Sequence, residues 1–183
     1  DVQFLNILWF IKVLLFTRNQ PLLQTMAAKG KYTDVEVTNG IRSNGRRKLL
    51  IVGKTGTGKS SLCNVMTGHE HDATIFPVSA KPESCTQNTK FANVLFNGDK
   101  SMPISLIDTI GFDDATKNDD AAIIAEQVEK LNNDCDHVNL FIIAINGQAP
   151  RLDGSLLTMI KIFEGMFTEK FWEQTVVVFT RIS

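Results

Sequence analysis

Cysteine is scarce here, and that scarcity removes several classes of protein at once. The 183 residues hold three, Cys63, Cys85 and Cys135, widely spaced and without a CxxC pair. An odd number so placed builds neither a disulfide framework nor a zinc site. They read as reduced thiols, small and apolar in packing, and they suit a cytoplasmic protein. An excess of charge of either sign is also lacking. Nineteen Lys and Arg against 20 Asp and Glu leave a net charge of -1, so bulk electrostatics does not recruit nucleic acid and no nucleic-acid partner is expected. No apolar run is long enough for a membrane span: Phe4 to Phe16, broken by Asn6 and Lys12, is about 13 residues where about 20 are needed. Membrane association is therefore not evident. That run fits a signal-peptide core, a core helix or a mis-assigned gene start. Internal repeats and low-complexity segments are lacking too. What is present, 43% hydrophobic and 21% charged residues, suffices for a packed core.

The chain begins at Asp1 rather than Met and stops at Ser183, and both ends read as cut from something longer. Two regions are expected. Residues 1–45 read as an N-terminal extension, with Lys29 to Asn44 polar, glycine-bearing and linker-like. Residues 46–183 read as a partial domain of alternating strands and helices. There, Lys48 to Val52 is a short apolar run suited to a strand covered on both faces. Arg46 and Arg47, with Lys48, read as a solvated strand entry. Ser60 to Thr67 predicts a helix with Leu62, Val65 and Met66 on one face, ended by Gly68. Phe91 to Phe96 and Ile104 to Ile107 predict two strands, and Asn97-Gly98 between them predicts a hairpin. A helix starting at Asp119 or Asp120 follows, then a strand at His137 to Ile145. A helix capped by Asp153 and a strand at Thr175 to Thr180 complete the order. Trp9 and Trp172 read as packing residues. The fold class is α/β, a three-layer sandwich that the glycine-rich Gly53 to Ser60 turn after its first buried strand makes a P-loop NTPase. Its sheet is mostly parallel with one antiparallel hairpin, and the domain breaks off after the fifth expected strand.

Between the first buried strand and the first helix, Gly53 to Ser60 matches GxxxxGK[ST]. Glycines let backbone N–H groups turn inward around phosphates, and the helix N-terminus adds donors and a positive dipole end. Lys59 is expected at the β- and γ-phosphates and Ser60 at Mg²⁺. Lys54 reads as a solvated loop residue. About 50 residues on, Asp108-Thr-Ile-Gly111 closes a strand with DxxG. Asp108 can hold Mg²⁺, most simply through water, and Gly111 can offer its N–H to a γ-phosphate, which makes a switch. Among the hydroxyls of residues 84–89, Thr86 is preferred to complete the metal shell, with Thr89 second. The residues expected at the nucleotide are thus Gly53, Thr55, Gly56, Thr57, Gly58, Lys59, Ser60, Ser61, Thr86, Asp108 and Gly111. Ser60, Thr86 and Asp108 form the metal set. No catalytic side chain is identified. After DxxG, where many small GTPases place a water-orienting Gln, stands Phe112, which cannot hydrogen-bond water, so slow unaided hydrolysis is expected. Asp113 and Asp114 read as solvated loop residues. His69, Glu70, His71 and Asp72 lack a second ligand cluster and also read as solvated loop.

Gly53 to Asn64, Ser84 to Thr86, Asp108 to Asp113 and above all Val138 to Arg181 resemble the immunity-associated, avirulence-induced-gene type of GTPase, a septin-like P-loop family. The resemblance implies binding of GTP and GDP, dependence on Mg²⁺, GTP-dependent homo-oligomers and scaffold behaviour, in some members with a partner subunit that speeds hydrolysis. Arg151 is left equally as a dimer contact or a surface charge. Phe179-Thr-Arg181 looks like the start of the guanine-reading motif, whose carboxylate falls past Ser183, so guanine over adenine rests on the resemblance. An efficient stand-alone hydrolase is the alternative. An ATP-using P-loop kinase is disfavoured, since no arginine-rich lid is evident.

Overall fold

A computed structural model describes residues 35–42, 44–68, 75–78, 88–111, 117–148, 154–167 and 170–181. The apolar run after the charged entry forms β2 (Arg47–Val52), preceded by a short strand β1 (Val35–Thr38). Helix α1 (Lys59–Thr67) follows, and Gly68, left-handed at φ 78, ends it by donating its N–H to Asn64 and Val65. Strands β3 (Lys90–Leu95) and β4 (Pro103–Asp108) form the expected hairpin. Asn97 and Gly98 both take positive φ, as the dipeptide predicts, and a second turn at Asp99 to Met102 lengthens the connection. Helix α2 (Lys117–Asp134), strand β5 (Leu140–Asn146), helix α3 (Gly154–Phe167), the short helix α4 (Lys170–Glu173) and strand β6 (Thr175–Thr180) complete the order.

The sheet runs β1-β3-β4-β2-β5-β6. β2 is parallel to β4 and β5, and β5 to β6, while β3 is antiparallel to β4. Alternation along β2 divides the core. Leu49 and Ile51 join Leu62, Cys63 and Met66 of α1 on one face. Leu50 and Val52 meet Leu131 of α2 and Leu156, Met159 and Phe163 of α3 on the other. This is the three-layer sandwich that the alternation of strands and helices implies. Cys63 and Cys135 are buried free thiols, as expected; Cys85 lies outside the described residues.

Three readings are corrected. Part of the apparent linker is β1, which pairs antiparallel with β3 in the register Val35↔Val94 to Thr38↔Phe91. β6, expected as the fifth strand, is therefore the sixth. A four-residue edge strand with half its side chains exposed carries no apolar run to announce it. Trp172 is 49% exposed, touching Phe171 edge-on and donating its indole N–H to Glu164. The charged entry to β2 is not solvated. Because β4 and β5 flank β2 on both sides, Lys48 is fully buried and pairs with Asp136 at 2.5 Å, and the Arg46 guanidinium donates to the carbonyls of Val94 and Ile104. Removing the carboxylate with Asp136→Ala leaves a buried ammonium uncompensated. Since Asp136 itself is 29% exposed, the expected loss is about 2–3 kcal/mol, below the range for a fully enclosed pair. Urea unfolding checks it.

Candidate nucleotide site

The loop that leaves β2 is wound tightly on its own carbonyls. Lys54 O accepts from the Thr57 hydroxyl at 2.8 Å, from the Thr57 N–H at 3.3 Å and from Lys59 Nζ at 2.9 Å. Gly53 has φ +153, and a Cβ there would lie 2.5 Å from the Ala144 carbonyl oxygen. Gly58 has φ +83 and caps α1 without a side-chain bond. Thr55 is half-buried, Gly56 exposed, Thr57 buried, and Ser61 half-buried on the first turn of α1. A cleft of about 190 Å³ lies between residues 54–57 and Ala144, Ile145, Asn146 and Leu156. From β6, the Thr180 hydroxyl donates to Thr57 O and lies 3.2 Å from Ile145 O, tying loop, β5 and β6 together.

DxxG arrives at this loop because β4 runs parallel to β2 and ends beside it. Ser60 donates its hydroxyl to Asp108 Oδ2 at 2.7 Å, and Asp108 is fully buried. Thr109 donates to Ile51 O at 2.7 Å. Gly111 abuts the loop so closely that a Cβ would sit 2.6 Å from Thr55 Cα and 2.7 Å from Lys59 Nζ. Gly53, Thr55, Gly56, Thr57, Gly58, Lys59, Ser60, Ser61, Asp108 and Gly111 are thus brought to one end of the sheet. Thr86, Phe112, Asp113, Asp114, Arg151, Asp153, Trp9 and the His69–Asp72 segment lie outside the described residues. Thr89 is buried just before β3, and its Oγ1 has no hydrogen-bond partner among the described residues.

Lys59 is 6% exposed. Burial lowers its pKa to about 8, with Asp108 and Cys63 pulling it back up. The same burial, reinforced by Asp108, raises the Cys63 thiol well above its ordinary value, so Cys63 is no nucleophile. A buried ammonium held by one carbonyl, above a hydroxyl–carboxylate pair, suits a phosphate with a hard divalent cation. Among the described residues no group of three or more His, Cys, Asp or Glu could chelate a metal by itself. A cation at Ser60 and Asp108 therefore takes its remaining oxygens from elsewhere, as magnesium does from phosphates.

Two residues escaped the sequence reading. Gln127 of α2 is 1% exposed and donates its amide to Ile110 O at 2.9 Å. A polar residue inside an amphipathic pattern carried only a faint hint of burial. Thr180 was legible as part of a motif but not as a brace on the loop.

Residues 47–183 match the family model described as the AIG1 family. Solved structures with the same fold include Toc33 from Arabidopsis thaliana. A dimerization-deficient mutant of it is 18% identical with a TM-score of 0.56, covering 74% of this chain and 51% of that one. Its complex with GDP and Mg²⁺ is 20% identical at 0.54, covering 74% and 50%. Its complex with Mg²⁺ and GMPPNP is 20% identical at 0.53, again covering 74% and 50%. The chain spans about half the length of these solved relatives. No match was found among curated proteins. Among the described residues no helix is long and apolar enough to cross a membrane. Since the family match runs over most of its length, this chain belongs to the AIG1 family.

Proposed function

We propose that this chain is the phosphate- and magnesium-binding part of a GTP-binding switch, slow in unaided hydrolysis, that works by nucleotide-dependent self-association as a scaffold. The carrying observation is the closure of Gly111 and Lys59 on one loop, next to the Ser60–Asp108 pair. Lys59 and the amides of residues 53–61 would bind the phosphates. Ser60, Asp108 and Thr86 would hold Mg²⁺, which neutralises phosphate charge when bound. Gly111 would report the γ-phosphate through its N–H. Slow hydrolysis follows from Phe112, which offers no hydrogen bond to an attacking water. Self-association is supported by the family and by the dimerization-deficient form of Toc33 among the solved relatives. The nucleotide is read as guanine because the family and fold are those of GTP-binding G domains, and the solved relatives hold GDP or GMPPNP with Mg²⁺. The domain unit is residues 46–183, with residues 1–45 as an extension that lends the sheet its edge strand β1. Reduced buried thiols suit a cytoplasmic setting.

Competition with the full-length protein tests this. GTP should displace a labelled GTP analogue well before ATP does, and turnover per molecule should rise with protein concentration. Equal displacement by ATP overturns the guanine assignment, and fast turnover independent of concentration overturns the scaffold.

A further inference from the structure

Three successive residues of the DxxG turn are each held by a different element. Asp108 is bonded by Ser60 of α1, Thr109 bonds Ile51 of β2, and Ile110 O accepts from Gln127 of α2. The last contact stands apart because of what the carbonyl is joined to. The oxygen of Ile110 and the N–H of Gly111 belong to one peptide group. That group is planar and trans, so its C=O and N–H point in opposite directions. Whatever holds the oxygen therefore sets the aim of the Gly111 amide. Gln127 is buried, so water does not compete for its bond.

We infer that Gln127 is a positioning residue that aims the Gly111 N–H at the terminal phosphate of a bound nucleoside triphosphate, and so couples helix α2 to the nucleotide state. The inference rests on the nucleotide-switch reading above. Its geometric basis is the tight seat of Gly111 on Thr55 and Lys59, which leaves the amide little freedom once the carbonyl is anchored. It also gives α2 contacts at two places with different tasks. Gln127, near the middle of the helix, holds the switch peptide. At the C-terminal end, Ile41 N–H bonds Asp134 O at 2.8 Å, and the Arg42 guanidinium bonds the carbonyls of Asn132 and Asn133. A γ-phosphate that pulls on the Gly111 amide therefore loads the Gln127 bond. The load passes through α2 to residues 41–42, next to the edge strand β1.

The experiment compares wild-type and Q127M full-length protein, binding GDP and GMPPNP in the presence of Mg²⁺ by calorimetry. Methionine matches the length of glutamine and removes the donor. GMPPNP affinity should fall about fivefold to tenfold, the scale of one hydrogen bond, while GDP affinity stays within about twofold. Amide exchange at Gly111 in nucleotide-free protein should speed up in the variant. Equal losses for both nucleotides, or no loss in either, overturn the positioning role and leave Gln127 as the partner of a buried carbonyl. If Q127M does not fold, Q127N keeps the amide but shortens its reach, and it is read by the same two affinities. Wild-type protein that binds no GMPPNP sinks the switch reading together with this inference. Wild-type binding with a uniform loss in the variant sinks this inference alone.

Discussion

Lys59→Ala in the full-length protein is expected to weaken triphosphate binding by about 100-fold or more, the size of losing one buried charge-assisted contact. The fold should survive. The ammonium sits at a loop with one carbonyl partner, and its burial already opposes its charge. Lys59→Met, which keeps the stem, should raise the stability of the empty protein by up to about 3 kcal/mol, since a pKa of about 8 against the ordinary 10.5 measures the penalty for burying that charge. Calorimetric melting with and without nucleotide separates the two effects. A variant that binds triphosphate as the wild type does removes the phosphate cradle from consideration.

The same pKa sets a pH dependence. Below about pH 8 Lys59 is protonated whether the empty protein is folded or unfolded, and the penalty is constant. Between about 8 and 10.5 the unfolded chain holds the proton and the folded one does not, so the stability of the empty protein rises with pH across that window. Triphosphate binding has the opposite sign, because it needs the ammonium. Above about pH 8 binding must take up a proton, and affinity should fall by up to about tenfold per pH unit. Titrations in buffers of differing ionisation enthalpy would register that uptake. Flat affinity from pH 7 to 9.5 would show that Lys59 carries no part of the interaction.

Gly53→Ala is the second large effect. The new Cβ would meet the backbone oxygen of Ala144 at 2.5 Å, a main-chain atom that cannot swing aside, and Thr57 Oγ1 at 3.1 Å. β5 is central, pairing with β2 and β6, so it cannot move without opening the sheet. We expect a loss of about 3–5 kcal/mol, against about 1 kcal/mol for Gly56→Ala, where only the positive φ is strained and the space is open. Denaturant midpoints for the two variants side by side check it. Similar losses at both sites would mean that the close approach to Ala144 costs nothing.

The contrast between these two glycines shows what a motif can convey. GxxxxGK[ST] identifies the loop and the chemistry, since phosphates require bare backbone N–H groups, an ammonium and a hydroxyl. It does not separate a glycine demanded by a neighbour from one demanded by a dihedral angle, because the neighbour, Ala144, is 91 positions away. Lys48 repeats the lesson. Three successive cations read as solvated, yet the strand order buries one against Asp136 and another under two carbonyls. β1 leaves little mark in the sequence because an exposed edge strand needs only a partner's backbone, which local composition does not reveal.

Hydrophobic periodicity and motif spacing by themselves settled the α/β class, the buried strand β2 and the hairpin, and they named the loop residues proposed to bind phosphate. Each of those is a local matter of side-chain pattern or backbone permissiveness. Only the packed structure decided that Gly111 seats on Thr55, that Thr180 braces the loop and that Gln127 holds the Ile110 carbonyl. Such contacts join residues distant in the chain. Their partners become neighbours only when parallel strands bring their ends together.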